Sequence, residues 1–115
     1  MATNNPEAIR VQFDALRSLA YTGVSSSYAA VGTAFTRPAR IVKITNTMDA
    51  DATISFGGGI DNDYVPAGGF VLYDYCANMA TQGGYMVQAI GTVVSAKTSG
   101  SPSKGAVYVT VIEAV

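Results

Sequence analysis

The sequence predicts an all-β fold. It is a single antiparallel β-sandwich of about eight strands, jelly-roll or immunoglobulin-like in topology, over residues 8–115, with a polar N-terminal arm at residues 1–7. Three observations carry this expectation. Short segments that alternate apolar and polar residues recur along the chain, with turn residues roughly every ten positions. No long amphipathic helical pattern separates them, which argues against parallel β-α-β units. The chain has 115 residues, the length of one domain, and at that size it buries about two-thirds of its unfolded surface in one core.

In the arm, Asn4, Asn5 and Pro6 oppose regular structure, so it is expected to stay free or to order against a neighbour. Over 8–13, Ile9, Val11 and Phe13 alternate with Arg10 and Gln12, the spacing of a strand with one apolar face. Residues 14–21 are ambiguous: Leu16 and Leu19 have helical spacing, and the alternative is a strand resumed after a bulge. Ser25, Ser26 and Ser27 mark a turn or exposed edge. Residues 28–35, rich in Tyr, Val, Thr and Phe, read as a strand with a bulge at Gly32, which Pro38 then ends.

Residues 40–46 form the strongest strand by composition, with Val42 and Ile44 on one face and Ile41, Lys43 and Thr45 on the other. Turn residues fill 46–51. A strand over 52–56 follows, with Ala52, Ile54 and Phe56 inward, and the pair reads as a β-hairpin. Gly57, Gly58 and Gly59 open a loop that runs through Asp61, Asn62 and Asp63 to the turn at Pro66–Gly69. In the strand over 70–75, Phe70 and Leu72 face one side, and Val71, Tyr73 and Tyr75 the other. Two short strands are expected at 85–89 and 92–97, an exposed loop at 98–105, and a last strand over 106–113. That last strand has so few polar residues on its second face that it belongs at a sheet centre or an interface.

Only 13% of residues are charged, where about 25% is usual. The surface is therefore made of Ser, Thr, Gly, Asn, Ala and Tyr. Such a surface suits packing against other proteins, and a β-rich composition explains it equally. Net charge is -1, so no basic surplus points to nucleic acid. Arg10, Arg17, Arg37, Arg40 and Lys43 lie early, whereas Asp49, Asp51, Asp61, Asp63 and Asp74 lie in the middle. This division suits a basic and an acidic face for head-to-tail or lattice contacts, and turn geometry explains most of the acids as well. No run approaches the roughly 20 apolar residues of a membrane span. The polar start MATNNPEAIR has no signal-peptide pattern, so folding in a cytoplasm is expected.

The chain has no histidine, which removes serine–histidine and cysteine–histidine catalysis. One cysteine, Cys76, allows no intrachain disulfide and reads as a small hydrophobe. It also leaves zinc without a ligand set. The carboxylates sit beside Gly or Asn in turns rather than as a pair flanking a groove. Asp61–Asn62–Asp63, with Asp49 and Asp51, offers oxygen ligands for calcium, but lacks the EF-hand spacing and its bidentate Glu. The glycine triplet lacks the Lys-Ser/Thr ending of a phosphate loop. No enzyme and no cofactor are expected. The dispersed tyrosines leave a carbohydrate-binding module as a reading from another class, weakened by the absence of Trp.

The run from Arg40 to Tyr75 resembles small structural proteins of tailed bacteriophages. The matching positions are Ile41, Lys43, Asn46, Asp49, Asp51, Ile54 and Ser55 in the first part, then Pro66, Ala67, Gly68, Leu72, Tyr73 and Asp74. IRVQFDALRSLAY near the start and SPSKGAVYVTVIEA near the end resemble the same group. The resemblance implies a β-sandwich virion protein, of capsid decoration, cement or head–tail type. It would be partnered by the major capsid protein or other virion proteins, form a homo-oligomer, and need neither nucleic acid nor membrane. Under that reading the expected contact residues are Asn4, Asn5 and Pro6 in the arm and Gly57, Gly58, Gly59, Asp61, Asp63 and Tyr64, in a loop at one end of the sandwich.

Overall fold

Two antiparallel sheets pack face to face in the computed structural model, which describes residues 10–75 and 87–114. Asn4, Asn5 and Pro6 of the arm, Ile9, Cys76 and Tyr85 lie outside the described residues. The strands are β1 (Val11–Phe13), β2 (Arg17–Ala20), β3 (Ala29–Ala30), β4 (Ala39–Asn46), β5 (Ala52–Ser55), β6 (Asp63–Val65), β7 (Phe70–Asp74), β8 (Ser95–Lys97) and β9 (Ala106–Ala114). Sheet A runs β1-β9-β4-β7, with β2 also paired to β9; sheet B runs β3-β8-β5-β6.

The pairings nest. β1 and β2 lie on β9, β3 on β8, β4 on β7 and β5 on β6. The chain is therefore one long antiparallel hairpin rolled up on itself, with β4–β9 and β5–β8 pairs closing the roll. That is the jelly roll, and it resolves the topology that alternation alone left open. The tip of the rolled hairpin is the β5–β6 connection, where Gly57, Gly58 and Gly59 all carry positive φ.

Alternation sorts each strand. Val42, Ile44, Val107, Val109 and Val111 of sheet A and Ala52, Ile54, Val65 and Ala96 of sheet B fill the space between the layers. Val31, Phe35, Met48 and Val94 add to the same core from the connections. β9 is central, as its two apolar faces predict, and Tyr73 and Tyr75 of the β7 segment pack inward as alternation requires.

Between β1 and β2 the strand is interrupted by a bulge. Phe13 stands opposite Ile112 and Arg17 opposite Val109, so Asp14, Ala15 and Leu16 face only two residues of β9. Of the two readings of 14–21, the resumed strand is the one observed, ending in a 3-10 turn at Tyr21–Gly23. The bulge turns Arg17 inward. Its Nε donates to the Thr33 carbonyl at 2.8 Å, its guanidinium sits 5.1 Å from the Phe35 ring centre, and Asp14 pairs with it at 2.8 Å.

Four expectations are corrected. The 40–46 and 52–56 segments do not form a hairpin. β7 and β9 occupy both edges of β4, so β5 goes to the other sheet and 47–51 is an arch between layers. The 57–69 stretch is not one loop, because β6 interrupts it. Its glycines lie at one end of the sandwich and the Pro66–Gly69 turn at the other. The 28–35 strand shrinks to Ala29–Ala30, because Gly32 takes φ +76 and breaks the extended run. Val31 and Phe35 still donate to the carbonyls of Val94 and Thr92, at 2.7 and 2.9 Å. Of the two strands expected within 85–97, the described residues hold β8 and a single bridge between Gln88 and Ala39.

Candidate functional site

The loop residues named by sequence divide into two groups. Gly57, Gly58 and Gly59 are exposed at the hairpin tip. The polar residues beyond them are tied to the fold. Asp61 accepts from the Tyr28 hydroxyl at 2.6 Å and pairs with Lys97 at 3.0 Å. Asp63 accepts from the Tyr73 hydroxyl, and the Tyr64 hydroxyl donates to Asp51 at 2.7 Å. Asp51 also accepts the Ala67 N–H, and Asp49 accepts the Ser103 N–H at 2.8 Å. Each aspartate thus ties its own segment to another. Among the described residues no three acids gather as a cation would need.

These clasps set an acid response. The hydrogen bond from Tyr28, and then Lys97, hold Asp61 below its ordinary pKa; Tyr64 and the Ala67 N–H do the same for Asp51, and Ser103 for Asp49. A carboxyl depressed in the fold binds fewer protons there than in the unfolded chain. Its stabilisation is present above the unfolded pKa, about 3.9, and is lost as pH falls through the folded value. Thermal unfolding should therefore move to lower temperature as pH drops from 5 to 3, and the Asp49→Asn/Asp51→Asn/Asp61→Asn triple variant should show a flatter pH response. An equally steep response in the triple variant would count against the clasps. On the alkaline side, burial and then the Asp61 bond push the Tyr28 hydroxyl up to about 12.

A recess of about 240 Å³ lies at the β1–β2 bulge, lined by Asp14, Leu16, Arg17, Gly32 and Thr33 among others. Arg17 is committed there to two carbonyls, Asp14 and the Phe35 ring, so it serves as a clamp on the bulge.

The most distinctive surface is the outer face of sheet A. Alternation that turns valines inward on β4 and β9 turns a second apolar set outward. Phe13, Ile112 and Ile41 lie side by side on β1, β9 and β4, with Asp74 of β7 at the end of that row. The next row holds Thr110, Lys43 and Leu72, and the one after it Tyr108, Thr45 and Phe70. Val11, Phe13, Phe70 and Leu72 are 53%, 73%, 64% and 51% exposed. Large apolar side chains at such exposure, gathered on one face, mark an interaction surface rather than scattered exceptions. Lys43 does not lift away from it, its Nζ lying 5.4 Å from the Phe70 ring centre.

Sequence reasoning did not name this face as a site. The signal was present in two places, the Val11/Phe13 alternation and the Phe70/Leu72 side of β7. Both strands lie at or near the margin of sheet A, and only the topology shows that, among the described residues, no second layer lies over those sides.

Fold and surface together define a jelly roll with an apolar sheet face that no other described residue covers. No known protein family matches the chain, and no curated protein sequence matches it. Among solved structures it is similar to a chain of the extra small virus (XSV) virus-like particle of the giant freshwater prawn Macrobrachium rosenbergii, determined by cryo-EM. The TM-score is 0.41 and the identity 13%, over 97% of this chain and 82% of that one.

Proposed function

We propose that this chain is a non-enzymatic structural protein of a bacteriophage virion: a capsid decoration or cement protein that stabilises the head by bridging capsid subunits. The outer face of sheet A is the observation that supports it best. A cement protein needs a rigid core and a flat contact face. It also needs contacts weak enough singly to keep the free protein soluble yet strong when repeated over a lattice. The apolar rows with one lysine and one aspartate on a jelly roll meet those needs, and jelly rolls recur among viral capsid domains. The resemblance of the 40–75 stretch to small phage structural proteins supports the same reading. The partner is then the major capsid protein or another virion protein, the location is the virion, and assembly takes place in the host cytoplasm. The N-terminal arm and the 57–59 tip are secondary contacts in this account.

Quantitative mass spectrometry of purified particles tests the role. Copies matching the capsid symmetry positions support a cement, and about five to twelve copies would instead indicate the head–tail connection or tail. Absence from particles would overturn the proposal. In the same assay, Phe13→Ser and Leu72→Ser should leave folding stability within about 0.5 kcal/mol, since both are exposed surface positions, and should deplete the protein from particles. Full incorporation of both variants would remove sheet A from the account.

A further inference from the structure

A strand at the margin of a sheet leaves one row of main-chain N–H and C=O groups to solvent. Proteins blunt such margins with bulges, charges, prolines or brevity. Among the described residues the two sheets have their margins at β1–β2, β3, β6 and β7. The β1–β2 margin is broken by the bulge at 14–16, where Asp14 pairs with Arg17. β3 is two residues long. On β6 the Asp63 carboxylate accepts the Tyr64 N–H at 2.7 Å, and Pro66 follows the strand. β7 is the exception. It pairs with β4 over five residues without a register break, holds no proline and carries its one charge at the last position. Asn46 donates its N–H to the Gly69 carbonyl at 2.9 Å, which sets the phase of that ladder. Val71 and Tyr73 therefore turn their main-chain groups to β4. Phe70 and Leu72 turn theirs the other way, where no described strand pairs with them. An extended backbone is what satisfies such a row.

We infer that β7 of a second copy of the chain pairs antiparallel with this margin, joining two A sheets edge to edge across a two-fold axis beside Val71. About that axis Phe70 faces Leu72 of the second copy, and Leu72 faces its Phe70. Each of these pairs exchanges both N–H···O=C bonds. On the outer face the pairing sets aromatic against aliphatic, a stabilising cross-strand combination, and covers side chains that are 64% and 51% exposed. On the inner face Val71 meets Val71 of the second copy. Asp74 falls opposite Gly68 of the second copy, beyond the paired residues, so its carboxylate takes no part. A register with Leu72 facing Leu72 would instead set the Phe70 ring against that carboxylate. The strand itself argues for this occupant. An isologous contact needs a segment whose side chains and hydrogen-bonding phase match their own reverse, and β7 supplies both. A foreign strand would meet the backbone as well but has no reason to match the Phe70/Leu72 alternation. The junction also continues the outward rows, Lys43 and Leu72 of one copy running on to Phe70 and Thr45 of the other.

Sedimentation velocity from micromolar to millimolar concentration tests this. The native chain should shift toward dimer as concentration rises. Leu72→Pro removes an outward N–H and sets a ring against the incoming strand, while β7 keeps its ladder to β4. Its self-association should be about tenfold or more weaker. If circular dichroism melts show that variant unfolded, Phe70→Lys/Leu72→Lys, with like charges at both paired positions, should show the same loss. Phe13→Ser, on the same outer face but on β1, should leave dimerisation unchanged, which separates pairing at the edge from packing on the face. In a Cys76→Ser background, Val71→Cys should form an interchain disulfide on mild oxidation, because the facing Cα atoms lie about 4.5 Å apart. Phe70→Cys, two residues out of step with its own counterpart, should not. A native chain that stays monomeric throughout would overturn the inference. So would a folded Leu72→Pro or double-lysine variant that associates like the native chain, a Phe13→Ser chain weakened as much, or no Val71→Cys cross-link. The inference and the virion role fail separately. A chain present in particles but monomeric in solution overturns the pairing alone; a dimer absent from particles overturns the virion role alone.

Discussion

Gly105→Ala should lower the unfolding free energy by about 3–5 kcal/mol, from backbone strain plus overpacking. Gly105 takes φ +90, a region costly for a residue with a Cβ. A Cβ there would also lie 2.3 Å from the Thr47 carbonyl oxygen, 2.5 Å from its carbon and 2.7 Å from the Met48 Cα. Those are backbone atoms, and they cannot swing aside as a side-chain tip does. Thr47 is itself fixed, its N–H and hydroxyl donating to the Ala106 carbonyl at 2.9 and 3.1 Å. The entry to β9 and the arch after β4 are thus pressed together, and the glycine is what lets them meet. Marginal domains have only about 5–15 kcal/mol in total, so chemical denaturation should show the loss as a large fall in midpoint. Gly91→Ala is the control: its φ is +89, but nothing lies within 4 Å of the added Cβ, so it should pay only the backbone strain. Equal effects at the two sites would contradict the close-contact argument.

Asn46→Leu is expected to cost a similar amount, about 3–5 kcal/mol, because several buried polar groups lose their partner together. Asn46 is fully buried at the end of β4. Its Oδ1 accepts the Met48 N–H at 2.9 Å, which turns the chain inward and seats Met48 in the core. Its Nδ2 donates to the carbonyls of Ala50, Val65 and Pro66 at 2.9, 3.1 and 3.3 Å. One side chain therefore joins the β4–β5 arch to the end of β6, across the two sheets. Leucine matches it in bulk and offers none of these bonds. Asn46→Asp keeps the acceptor but aims a carboxylate at three carbonyls. Its folded pKa should rise, so this variant should gain stability as pH falls toward 4, opposite in sign to the native aspartate clasps. Thermal melts of the two variants against pH separate a lost hydrogen-bond hub from a simple packing defect.

The same arch explains where the sequence was readable and where it was not. Alternation in 40–46, 70–75 and 106–113 identified the strands and sorted their residues onto two faces correctly, because period two is a local property of the backbone. Strand pairing is not local. Asn46–Asp51 has the composition of a hairpin turn, and nothing within it reveals that both edges of β4 are taken by β7 and β9. The three-residue β6 was hidden for a related reason: Asp63, Tyr64 and Val65 are too short a run between turn residues to read as a strand, and pairing with β5 makes them one. Alternation also cannot say which of two apolar faces is covered. Phe70 and Leu72 read as well for a core as Val71 and Tyr73, and the second layer of the sandwich decides between them. The contact residues expected at Asp61, Asp63 and Tyr64 were legible as polar and surface-located. Their bonds to Tyr28, Tyr73 and Asp51 depend on distant strands and were not.

Hydroxyl-radical footprinting of the protein, free at low concentration and in purified particles, tests most directly whether sheet A is the contact face. In the free chain Phe13, Phe70 and Leu72 should label strongly, as should Ile60 near the hairpin tip and Ile90, which are 62% and 63% exposed. In particles the three sheet A residues should lose most of their labelling while Ile90, off that face, keeps its own. Undiminished labelling of Phe13, Phe70 and Leu72 in the assembled particle would contradict the account.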